Sequence, residues 1–165
     1  MGADGTTVLW SGSVLACALL PWAILLTLHD VRSHRLPNPL VAGATLAVFG
    51  TAALCWLALP GDREVLAWSV GIGLAVGAAA VVLALLSPAL LGMGDAKLLG
   101  PVAVVAVAAG PVALLGSMVV GLVVACCWAI AAALRAGTLR TRFPAGPAIL
   151  VAPYGGLLVG ALGVG

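Results

Sequence analysis

At 165 residues, 64% of them hydrophobic and only 7% charged, with a mean hydropathy of +1.27, this chain cannot be an ordinary soluble domain. Charged residues make up about 25% of globular sequences, and the deficit places the chain among integral membrane proteins. A net charge of +2, with no basic patch interleaved with aromatics, gives no basis for nucleic-acid binding.

The N-terminal residues Met1 to Thr7 carry no Lys or Arg and include Asp4, which is wrong for the basic head of a signal peptide. Val8 onward is therefore expected to be a retained span. Val8 to Leu28 is 21 largely apolar residues, roughly 31 Å of helix against a hydrocarbon core of about 30 Å. The most polar stretch of the chain follows, His29 to Asn38, and contains Asp30. Pro39 to Leu59 is a second span, with Pro39 tolerable in a first turn. Pro60 to Glu64 is a polar turn, and Val65 to Leu86 a third span whose Gly71, Gly73 and Gly77 offer small faces for helix contact. Ser87 to Lys97 is a connection holding Gly92, Gly94 and Asp95. Leu98 to Ala109 is apolar but short, and it spans only if its helix begins near Asp95. Gly110-Pro111 marks a turn, Val112 to Leu134 a fifth span, Arg135 to Pro147 a basic loop, and Ala148 to Val164 a sixth span. The fold expected is thus all-α and integral to the membrane, with six transmembrane helices in one polytopic domain over residues 1–165. No internal repeat points to a duplicated transporter.

Charge sets the orientation. The loops after spans one, three and five hold Arg32, Arg35, Lys97, Arg135, Arg140 and Arg142, six of the seven basic residues, and Arg63 is on the other side. The positive-inside rule makes the rich side cytoplasmic and both termini external. Asp30 and Asp95 then lie at one depth, at the cytoplasmic ends of helices one and four. An Asp at the centre of a spanning helix costs roughly 2.5–3.5 kcal/mol even on lenient insertion scales, and an acid kept near membrane depth marks a functional site by default. Two nearby Asp side chains cannot both ionise easily and share a proton. One can take a proton from water while the other protonates a carbonyl. Spacing and composition leave a second reading open, in which Asp30 is an interfacial acid paired with Arg32, Arg35 or Lys97.

The remaining polar residues read more simply. His29 and His34, five apart, suit neither metal-ligating helical spacing, and no metal or cofactor is expected. Cys17, Cys55, Cys126 and Cys127 lie in apolar runs and form no CxxC pair. Arg135, Arg140 and Arg142 read as topology determinants facing lipid head groups. Trp10 and Trp68 sit near span ends as belt residues. A reading from another class, a small proton-coupled transporter or channel component using the Asp pair as a relay, expects acids at the midplane and inverted repeats.

Two stretches carry a family resemblance. Asp30 through Asn38, an Asp, a basic stretch and then Leu36-Pro37-Asn38, resembles the first signature of type IV prepilin peptidases. Gly92-Met93-Gly94-Asp95, followed by Ala96-Lys97, resembles their second, the Gly-x-Gly-Asp motif. Ala152-Pro153-Tyr154-Gly155-Gly156 is similar to a late Pro-aromatic-Gly-Pro element, with Gly156 where a Pro is usual. The resemblance covers the whole chain and implies a membrane aspartic endopeptidase that needs no cofactor. It would remove the basic leader of prepilins or pseudopilins after a Gly, on the cytoplasmic side, and serve pilus or secretion machinery indirectly. By that resemblance Asp30 and Asp95 are the catalytic pair, with Gly92, Gly94, Lys97, Pro37 and Asn38 in support. The form resembled is the short, peptidase-only one, without the CxxC-bearing segment linked to methylation.

Overall fold

The computed structural model describes residues 5–33, 37–87, 91–136 and 146–163. His34, Arg35, Leu36, Arg140 and Arg142 lie outside the described residues. Six α-helices follow in order: α1 Gly5–Ser33, α2 Asn38–Ala58, α3 Arg63–Leu86, α4 Met93–Ala108, α5 Pro111–Ala136 and α6 Gly146–Gly163. Five of them are long and apolar enough to cross a membrane; α4 is the exception.

Each helix starts or stops where the backbone chemistry requires. Pro37 is the N-cap of α2 in extended backbone, and its carbonyl accepts from the amides of Leu40 and Val41 at 3.0 and 3.2 Å. A Pro there loses no bond, because first-turn amides have no partner within the helix. After α2 a single 3₁₀ turn, Pro60–Asp62, reverses the chain into α3. Between α4 and α5 the reversal falls on Gly110, whose φ of 94° is the left-handed backbone that glycine adopts at little cost. Pro21, Pro101 and Pro153 lie inside helices α1, α4 and α6, a placement that neighbouring helices make tolerable in membrane proteins.

The contacts fix how the helices alternate. At one end of the bundle the C-terminus of α1 meets the N-terminus of α6, through Asp30 and Gly146, and α2 meets the N-terminus of α4, through Asn38 and Lys97. At the other end Gly12 of α1 touches Ala109 just beyond α4, and Gly163 of α6 touches Val112 of α5. The Ser11 hydroxyl there donates to Asp62, a buried carboxylate in the turn between α2 and α3.

Helix α4 is the axis of this arrangement. Leu98, Gly100, Pro101, Val102, Val104, Val105, Ala106 and Ala108 are all buried, and the helix packs against α1, α2, α3 and α6. At 16 residues it reaches about 24 Å, short of a hydrocarbon core of about 30 Å. Its neighbours supply the surroundings that lipid would otherwise provide. Gly73 and Gly77 of α3 let Gly100 of α4 approach backbone to backbone, as their small faces predict, whereas Gly71 has nothing within 4 Å and does not share in the contact. By contrast α5 packs mainly on α6 and leaves Leu115, Met118, Val119, Leu122, Val123 and Ile130 exposed. An apolar face of that size belongs against lipid tails rather than water. The core between the helices is built on Leu15, Leu19, Leu26, Val48, Leu98 and Val105.

Candidate active site

The polar stretch after the first span begins inside the helix rather than after it. α1 runs to Ser33, five residues beyond the expected end at Leu28, and so carries Asp30 in its last turns. Asp30 is only 4% exposed, while His29 and Arg32 beside it are exposed.

The second carboxylate is likewise helical. α4 starts at Met93, making Asp95 its third residue, with Gly92 as N-cap and the Ala96 amide donating to the Gly92 carbonyl at 2.9 Å. A carboxylate in a first turn faces the positive end of the helix dipole. From the third position it reaches back towards the N-cap, as acids do in capping boxes. Gly92 gives it room: a Cβ built there would stand 3.3 Å from Asp95 Oδ2. The turn needs no left-handed backbone, because among the described residues Gly110 alone among glycines has a positive φ. Gly94 sits within the first turn of the helix.

Asp30 and Asp95 come from opposite ends of their helices and meet at one end of the bundle, near enough for their charges to act on each other. A second contact joins the same two stretches of sequence. The Lys97 ammonium donates to Asn38 Oδ1 at 3.0 Å, so the Pro37-Asn38 start of α2 is tied to the first turns of α4. Lys97 and Asn38, with Pro37 capping α2, therefore hold helix ends together beside the carboxylates.

One residue at the site stands outside the expected set. Gly146, the first residue of α6, is buried against Asp30. The Gly-Pro step at 146–147 announces a helix start, yet nothing local says which side chain that start will meet. The late element at Ala152 to Gly156 lies elsewhere. It is inside α6, where the Tyr154 hydroxyl donates to the Ala16 carbonyl at 3.1 Å and Gly155 and Gly156 pack closely on Val120, Ala113 and Ser117 of α5. Its role here is helix packing. Among the described residues no group of three or more His, Cys, Asp or Glu gathers as a metal site.

The fold and this site define a polytopic, all-α membrane protein with two carboxylates at one end of its bundle. Its sequence matches the family model described as the type IV leader peptidase family over residues 17–126, a range that includes both aspartates and most of α5. The chain belongs to the type IV leader peptidase family, and it is a peptidase. No curated protein and no solved structure matches it.

Proposed function

We propose that this protein is an aspartic endopeptidase that removes the basic leader of prepilin-like or pseudopilin substrates after a Gly, on the cytoplasmic side of a prokaryotic plasma membrane. The observation that carries this reading is the buried Asp30 beside Asp95, with Lys97 and Asn38 bonded across the same two motifs. In the reaction, one carboxyl holds a proton while the other is ionised. The ionised member takes a proton from water as the oxygen attacks the scissile carbonyl carbon. The protonated member gives its proton to the carbonyl oxygen, forming a neutral gem-diol. Collapse breaks the C–N bond, the leaving nitrogen takes a proton from the carboxyl that received one, and the diol returns a proton to the other. The pair ends as it began, with one proton between two oxygens.

Orientation follows from charge. By the sequence count, six of the seven basic residues fall in the loops after spans one, three and five, and the positive-inside rule makes that side cytoplasmic. All six helices then cross, α4 with the help of its protein neighbours, and the pair lies near one interface. A relay for transported protons expects acids at the midplane, and this pair stands three residues before the end of α1 and two after the start of α4. The test is co-expression with a prepilin carrying a Gly-ended basic leader, followed by N-terminal sequencing of the product. A product beginning immediately after that Gly supports the reading. An uncleaved substrate, with the enzyme present in the membrane, contradicts it.

A further inference from the structure

Gly146 faces one side chain. A Cβ built on it would stand 2.6 Å from Asp30 Oδ2, 3.2 Å from Cγ and 3.7 Å from Asp30 Cβ, and these are its three nearest outside atoms. Both residues are buried, Gly146 in the first turn of α6 and Asp30 near the end of α1. Gly92 does a milder version of the same for Asp95, at 3.3 Å. Each carboxylate thus lies against a glycine, but the one serving Asp30 comes from a different helix.

We propose that Gly146 is the positioning residue for Asp30: its bare α-carbon lets the carboxylate lie against the first turn of α6 and so sets how it faces Asp95. The consequence for catalysis rests on the peptidase reading above, whereas the contact itself does not. The chemistry of the clash decides what a substitution does. The atom nearest an added Cβ is the far end of a side chain, which turns more cheaply than backbone shifts. Gly146→Ala therefore spares the fold and displaces the carboxylate. Catalytic groups need placement within about 0.5 Å, and a misplacement of about 1 Å costs about 100-fold. A Cβ at 2.6 Å forces a movement of that order before ordinary contact is restored. The lower part of the Asp30 side chain and the substrate's own contacts stay where they were, so the loss falls on kcat.

The experiment measures kcat and KM on a prepilin with a Gly-ended basic leader, for wild type, Gly146→Ala and Gly71→Ala, a glycine with nothing within 4 Å. Gly146→Ala is expected to lower kcat about 10- to 100-fold with KM within about twofold, and Gly71→Ala to match wild type. A Gly146→Ala enzyme with wild-type kcat, or with its loss confined to KM, overturns the proposal. Thermal unfolding of Gly146→Ala, Asp30→Ala and the double variant provides a readout free of activity. Asp30→Ala removes the two nearer atoms and keeps the Cβ at ordinary contact distance. If Gly146→Ala is destabilised, the double variant should melt with Asp30→Ala alone; a double variant that stays destabilised overturns the proposal. The peptidase reading fails on a different result, cleavage by Asp30→Asn, whatever the unfolding data show.

Discussion

Gly12→Ala tests the packing that brings the two aspartate-bearing helices together. Gly12 is buried on α1, and a Cβ there would stand 2.5 Å from both Cα and Cβ of Ala109 and 2.7 Å from its amide nitrogen. These atoms are backbone or fixed to it, so no rotamer relieves the clash and the two segments must separate. Real Cβ contacts do not fall below 3.0 Å, so the separation is at least about 0.5 Å. A gap of 0.5–1 Å already forfeits about a quarter to a half of the dispersion energy across it, and overpacking typically costs about 1–3 kcal/mol. For a chain of this length that is a drop in Tm of roughly 2–12 °C. Asp30 lies about 27 Å further along α1 at 1.5 Å per residue, so the folded fraction should still cleave. The assay is thermal unfolding in a fixed detergent or nanodisc, with Gly71→Ala as the open-site control. Equal melting of Gly12→Ala and Gly71→Ala would refute the close α1–α4 approach.

Two further predictions concern topology and the tie between motifs. Single cysteines placed at Ser33 and Thr138, in a background lacking the native four, should resist an impermeant external reagent, while one at Gly61 is labelled; external labelling at Ser33 would reverse the orientation and with it cleavage on the cytoplasmic side. Lys97→Met and Asn38→Ala should each lower kcat/KM about two- to sixfold, the worth of a partly exposed hydrogen bond of about 0.5–1 kcal/mol, and the double variant should be no worse than the single ones. Additive losses in that cycle would show that the Lys97–Asn38 contact does not act as a unit.

Much of this architecture is legible in the sequence because lipid makes polar residues conspicuous. Asp30 and Asp95 stand out in apolar surroundings, and the helices fall where hydropathy puts the expected spans, within a few residues. The differences have local causes. His29-Asp30 reads as the end of a span, but a helix propagates cheaply once formed, and α1 carries on to Ser33. Gly92-Met93-Gly94 reads as a connection, yet Asp95 at the third position of a helix is a favourable start, and α4 begins at Met93. Asp62 reads as part of a polar turn; its burial against Ser11 depends on where the N-terminal end of α1 docks. Gly71, Gly73 and Gly77 look alike in sequence, and only the position of α4 decides that two of them matter. Gly146 is the clearest case. Its meeting with Asp30 is set by how α6 packs beside α1.

The central claim is that Asp30 and Asp95 form one catalytic unit. Groups that act together in catalysis are strongly non-additive, because losing either removes the mechanism. The direct measurement is the cleavage rate of a prepilin substrate, at matched membrane abundance, for wild type, Asp30→Asn, Asp95→Asn and the double variant. Asn keeps the size of Asp and cannot exchange the proton. Each single variant should fall to near background, and the double variant should be no slower than either. Substantial cleavage by either single variant, or modest losses that add in the double, would contradict the account.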